Sequence, residues 1–204
     1  LRAPAKLFLA SSNPGKLGEY RVLSPTSTEC STVELGLFPD FGALPAFDEN
    51  GPTFAENAAG KAIYYSRHCA AMVFADDSGL VVPALAGAPG VQSARYAGPG
   101  ATDAQRIEKL LREMRGKTAS DRAAHFICAI ALAKQGRALA VVTDRVDGEI
   151  LESARGTAGF GYDPVFYFPA LQKTFAELPA KEKNKHSHRG KAFRRLLWHL
   201  STML

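Results

Sequence analysis

The chain has 204 residues, 46% of them hydrophobic and 22% charged, with a net charge of +5. That composition belongs to an ordinary globular protein, and no internal repeat or low-complexity segment is visible. No apolar run approaches the ~20 residues that span a bilayer, so no membrane partner is expected.

Lys6-Leu7-Phe8-Leu9-Ala10 is a short apolar run, read as a buried first strand. Asn13 then caps a helix with Pro14 at its first position, running to Leu23. This strand-to-helix turn, Ser11-Ser12-Asn13-Pro14-Gly15-Lys16, points backbone N–H groups and a lysine at an anion. It lacks the spacing of a Walker A loop. Residues 38–52, rich in Pro, Gly and Asp, read as a loop carrying Glu49. Thr53-Phe54-Ala55-Glu56 is a capping box opening a helix to about His68, with Asn57 and Lys61 on one face.

Met72-Val73-Phe74-Ala75 reads as a buried strand that ends at a tight turn, Asp76-Asp77-Ser78-Gly79. Two adjacent acids at a strand's carboxyl end suit a divalent metal and a water-activating base, although the same tetrapeptide also makes an ordinary Asx-turn. Residues 87–100 are irregular, and Thr102-Asp103-Ala104-Gln105 caps a helix to about Arg115. Residues 122–134 form a long apolar strand. Gly136-Arg137 and Asp147-Gly148 then punctuate an antiparallel meander, and Val165–Phe168 is a further strand. Gly159-Phe160-Gly161-Tyr162-Asp163-Pro164 places aromatics in a glycine loop, where they either stack on a base or fill the core. Ser187-His188-Arg189-Gly190 opens a last helix with Ala192, Phe193, Leu196, Leu197 and Leu200 on one face.

The order of elements predicts an α/β (mixed α+β) fold, a long twisted mixed sheet flanked by helices, within one domain over residues 1–204 that has no clean boundary. Residues 181–204 hold seven Lys and Arg against one acid, a net of +6 that leaves the preceding residues near −1. This basic end suits a nucleic-acid binder, and equally a phosphate site followed by a basic helix face. Residues 1–6 hold no apolar stretch of signal-peptide type. Cys30, Cys69 and Cys128 fit neither a disulfide framework nor a zinc spacing, which suits a reducing, cytoplasmic setting. His68, His125, His186 and His199 show no metal spacing.

Taken in order, these segments resemble the inosine/xanthosine triphosphate pyrophosphatase (Ham1-like) family, in the compact form of its bacterial branch. The matching residues are Ser12–Lys16, Thr53–Ala58, Lys61-Ala62, Ala75–Leu80, Gly87–Gly90, Ser93–Tyr96, Gly159–Pro164 and Ser187–Gly190. The resemblance implies two lobes with a cleft, a homodimer, and Mg²⁺-dependent cleavage of ITP, dITP and XTP to monophosphate and pyrophosphate. It implies that Ser11, Ser12, Asn13, Pro14, Gly15 and Lys16 hold the triphosphate, aided by Lys61. Asp77 would be the general base and, with Glu49, a metal ligand. Ser78 would touch substrate. Phe160, Gly161, Tyr162 and Asp163 would cradle base and sugar, with Lys183, His188 and Arg189 completing the pocket. Maf-like pyrophosphatases share the reaction type, but the Gly-Phe-Gly-Tyr-Asp-Pro and Ser-His-Arg-Gly segments favour the purine family. An acid pair beside phosphate loops has no use in a nucleic-acid binder, so no nucleic-acid partner is expected.

Overall fold

The computed structural model describes residues 5–23 and 33–203; Cys30 lies outside them. The strands are β1 (Ala5–Leu9), β2 (Val33–Leu37), β3 (Met72–Val81), β4 (Ala123–Lys134), β5 (Arg137–Ile150), β6 (Phe166–Phe168) and β7 (Lys173–Thr174). The helices are α1 (Pro14–Leu23), α2 (Phe54–Ser66), α3 (Asp103–Glu113), α4 (Ala180–His186) and α5 (His188–Met203). Among the described residues the seven strands form one sheet in the order β2-β1-β3-β4-β5-β6-β7. β1 pairs in parallel with β2 and β3, whereas β5, β6 and β7 pair antiparallel, so the sheet is mixed.

Contacts divide the chain into two units. The first holds residues up to Asp77, Cys128–Asp144 and the chain from Arg189 onward; the second holds Ser78–Ile127 and Arg145–His188. Each has its own core. In the first, Leu7, Leu9, Phe74, Ile130 and Leu132 of the strands meet Ala192, Phe193, Leu196 and Leu200 of α5. These α5 positions recur at helical spacing, which is why one apolar stripe is enough to dock it. In the second, Leu80, Phe126, Val146, Phe166 and Phe175 pack with Leu110 and Met114 at the end of α3.

Local chemistry sets several boundaries as expected. Asn13 Oδ1 accepts from the Lys16 N–H at 3.1 Å and starts α1. Thr102 and Gln105 cap each other's backbone N–H groups at α3. Gln135 and Gly136, at φ 50° and 77°, make the two-residue turn between β4 and β5.

Two expected turns are strand instead. β3 does not stop at Ala75; it runs through Asp76, Asp77, Ser78 and Gly79 to Val81. Gly79 serves close approach rather than turning. A Cβ there would lie 2.3 Å from Ser93 Oγ and 2.6 Å from the Gly90 carbonyl oxygen. Ser93 Oγ itself accepts from the Leu80 N–H at 2.9 Å, tying the segment 90–95 to the strand. Likewise β5 continues through Asp147-Gly148, because a Cβ on Gly148 would sit 2.4 Å from the Tyr167 carbonyl oxygen on β6. β2, α4 and β7 are elements that the sequence pattern did not announce.

Candidate active site

In the first unit the acid pair sits just past the paired end of β1. The parallel register ends at Leu9↔Phe74, and the Ala10 N–H closes it on the Phe74 carbonyl. Here β1 turns away into α1 while β3 continues, so Asp76 and Asp77 reach the edge where α1 begins. The ligand edge expected of a parallel sheet is therefore present, although the strand does not end there.

Asp76 is fully buried and Asp77 is 7% exposed. Lys16 Nζ stands 3.2 Å from Asp76 Oδ1 and donates to the Asp76 carbonyl oxygen at 3.2 Å. The Arg189 guanidinium lies against Asp76 Oδ2 at 3.2 Å and against Glu19 of α1. Burial opposes ionisation of Asp76, but Lys16, Arg189 and Lys61 outweigh it and hold the carboxyl below its usual range. Asp77 goes the other way. Its burial dominates, Glu49 and Asp76 add to it, and the Asn57 hydrogen bond and Lys16 offset only part, so its pKa is pushed up to about 6. Two neighbouring carboxyls thus take opposite characters, a fixed anion and a group poised to take a proton near neutrality.

Asn57 Nδ2 donates to Asp77 Oδ2 at 2.9 Å. From the same face of α2, Lys61 Nζ reaches Glu49 Oε1 at 2.5 Å. Burial works to lower the Lys61 pKa, and Glu49 more than reverses it. Residues 45–51 run along this helix with alternate positions turned to it. Tyr64 Oη donates to the Pro45 carbonyl at 3.1 Å, and the Phe47 ring covers Gly60. Glu49 takes Lys61, and the Gly51 N–H donates to Asn57 Oδ1 at 2.7 Å. A chain of period two meets a helix stripe at 57, 60, 61 and 64. At the start of α1, Ser11 is buried and its Oγ accepts from the Asn13 N–H at 3.2 Å, while Ser12, Asn13 and Pro14 are exposed. The first-turn N–H of Gly15 has no acceptor within the helix.

In the second unit the glycine loop separates its two aromatics. Tyr162 is 3% exposed, lies in the core, and donates its hydroxyl to the Ser93 carbonyl at 3.0 Å. Only Phe160, half-buried, has ring surface left for a ligand. Asp163 clamps the loop by accepting from the Phe160 N–H at 2.9 Å and from Lys183 Nζ at 2.5 Å. Gly161 donates its N–H to Asp103 Oδ2 at 2.6 Å. Lys183 is buried on α4, with its ammonium 5.1 Å from the Phe160 ring centroid. His188 is 4% exposed and stacks on Phe126 at 4.7 Å between centroids. Ser78 is half-buried on β3.

Two cations of the basic end are not solvated, whereas Lys181, Lys185, Arg194 and Arg195 are exposed. Lys183 and Arg189 are buried in ion pairs with acids from distant segments. Glu19 is the residue here that the sequence pattern passed over, while Asp76 and Asn57 stood out in it without an assigned partner. Glu19 carried a weak signal, an acid one helical turn beyond Lys16 on α1. Cys69 and Cys128 are free thiols. No helix among the described residues is long and apolar enough to cross a membrane.

The raised Asp77 pKa makes a stability prediction. Between the ordinary 3.8 and about 6 the folded chain holds a proton that the unfolded chain has released, so stability falls as pH rises through that window. The loss is about 3 kcal/mol at most. Urea unfolding of metal-free protein at pH 4 and pH 7 should show this decrease, and Asp77→Asn should abolish it.

The sequence profile of the Ham1 family matches residues 7–199. The chain is 50% identical over 191 residues to the dITP/XTP pyrophosphatase of Geobacillus kaustophilus, covering 94% of this chain and 92% of that one. It is also 50% identical over 192 residues to the dITP/XTP pyrophosphatase of Gloeobacter violaceus, covering 94% and 92%. Among solved structures it is similar to the Ham1 protein of Coxiella burnetii, with TM-score 0.85, 41% identity and coverage of 97% and 99%. The Staphylococcus aureus Ham1 protein matches with TM-score 0.84 and 37% identity, covering 98% of this chain and all of that one. With the acid pair, the capped α1 turn and the buried Ser-His-Arg segment in place, this chain belongs to the Ham1 family.

Proposed function

We propose that the protein hydrolyses the bond between the α- and β-phosphates of deaminated purine nucleoside triphosphates, dITP, ITP and XTP, releasing a monophosphate and pyrophosphate. One observation carries this reading: adjacent acids of opposite character beside Lys16 and the start of α1. Lys16, the first turn of α1 and Ser11–Gly15 bind phosphate oxygens, and Lys61 adds charge. Asp77, ionised above about pH 6, takes a proton from a water whose oxygen attacks phosphorus while the pyrophosphate oxygen leaves. Asp76, locked as an anion, keeps Lys16 in place. Phe160 offers a face to the base, and Lys183, His188, Asp163 and Ser78 complete the base and sugar contacts.

Glu49 and Asp77 fit a magnesium ion. Both are hard oxygen donors, and Glu49 adds to the cost of ionising Asp77. Magnesium binds through one or two carboxylates and fills its other positions with water and phosphate. When bound, Mg²⁺ supplies charge neutralisation on the phosphates.

The test is pyrophosphate release across ITP, dITP, XTP, GTP, ATP and a pyrimidine triphosphate, with Mg²⁺ and with excess chelator. The 6-keto purines without a 2-amino group should lead, GTP should follow and ATP should be poorest, since an amino group meets donors with its own hydrogens. Chelator should abolish turnover, and kcat/KM should fall as pH drops through about 6. Release of orthophosphate, or a pyrimidine preference, overturns the reading.

A further inference from the structure

Asn57 ties together two parts of the first unit that are far apart in sequence. Its side chain is 3% exposed. Nδ2 donates to Asp77 Oδ2 at 2.9 Å and also lies 3.4 Å from the Gly51 carbonyl oxygen. Oδ1 accepts the Gly51 N–H at 2.7 Å. One amide therefore spends its donor and acceptor capacity on the proposed base and on the end of the segment that carries Glu49. An aspartate could not donate, an alanine could do neither, and a glutamine would misplace both groups by a methylene.

The packing shows how closely this is set. A Cβ on Gly51 would lie 2.7 Å from Asn57 Oδ1 and 3.2 Å from Glu56 Cβ. Gly51 has no left-handed φ, so the bare position answers a side-chain contact and not a turn. The same segment is fixed upstream by Phe47 over Gly60 and by Lys61 on Glu49. Gly51 is the last of these attachments before the α2 cap at Thr53.

We infer that Asn57 is a positioning residue: it holds the Asp77 carboxylate and the Glu49-bearing segment in one fixed arrangement, so that the two carboxylates act together on the reacting phosphate. This rests on the assignment of Asp77 as the base.

A double-variant cycle tests it. Asn57→Ala removes the tether, and Gly51→Ala presses a methyl onto it from the other side without touching Asp77. Each should lower kcat about 10- to 100-fold, the usual cost of losing an outer hydrogen-bond partner, with KM for ITP within about threefold. In the Asn57→Ala background, Gly51→Ala should cost almost nothing further, because the side chain it would displace is gone. Hydrogen exchange at the Gly51 amide should rise in Asn57→Ala while the core of α5 stays protected, which reads the tether without activity. The inference is overturned if the two substitutions multiply independently, if kcat is unchanged in either folded variant, or if Gly51 exchange does not move. Asp77→Asn serves as the reference. Should it retain turnover, the assignment of the base fails; should it be inactive while Asn57→Ala is not, only the role of Asn57 fails.

Discussion

Asp77→Asn should lower kcat about 10²- to 10⁴-fold, the range for loss of a positioned base, and should make the protein more stable at neutral pH. The two effects have one origin. Asp77 is buried, and its pKa near 6 means that ionisation there is costly. The fold carries that cost for the sake of a basic oxygen. An amide keeps the shape and can still accept from Asn57 Nδ2, but it neither takes the proton nor pays for ionisation. The expected gain at pH 7 is of the order of 1–3 kcal/mol, read as a shift in the urea midpoint. Steady-state kinetics on the same sample read the loss. Turnover close to that of the parent would remove Asp77 from the chemistry. A variant both inactive and less stable would mean that the carboxylate holds the structure up rather than storing strain.

The second large effect is expected on stability. Arg189→Met should cost about 3–5 kcal/mol, because it strips the cation from between two buried carboxylates. The side chains of Arg189, Glu19 and Asp76 are 2%, 8% and 0% exposed. Burial works against the charge of Arg189, and Glu19 and Asp76 outweigh it, so the guanidinium stays ionised. Without it, Asp76 keeps only its lysine neighbours and Glu19 faces an apolar methionine. Adding Glu19→Gln should return part of the loss, since one stranded charge is then gone. Chemical denaturation of the three proteins measures this. A loss under about 1 kcal/mol would place the pair in the class of weak surface bridges and contradict the burial. The family resemblance implies that Arg189, at the head of a helix, completes the pocket. The fold places the guanidinium against Asp76 and Glu19.

What the sequence revealed and what it hid divide along a physical line. The α1 and α3 starts were legible because their caps lie within three residues of the groups they satisfy. The α5 stripe was legible because burial repeats at helical spacing. The course of β3 through Asp76–Gly79 was not, since the reason for Gly79 is a serine 14 residues later that presses onto the strand. The partners of Arg189 were hidden for the same reason on a longer scale: Glu19 is 170 residues away along the chain. α4, Ala-Lys-Glu-Lys-Asn-Lys-His, has no apolar spacing to announce it, and Lys183 is buried by its bond to Asp163. The segments that carry polar and charged residues into these clusters were therefore readable, and the partners each side chain takes were not.

The way residues 45–51 lie along α2 restricts the lengths this segment can have. Alternate positions carry the attachments, from Pro45 through Phe47 and Glu49 to Gly51. Inserting or deleting one residue between Pro45 and Glu49 changes parity: Glu49 would swing to the outer side and a neighbour would take its place against Lys61. A change of two residues restores parity. Loop length is usually a soft variable, since closure entropy grows only slowly with it. Here the helix acts as a ruler with a two-residue gauge, and drift in this stretch should proceed in even steps.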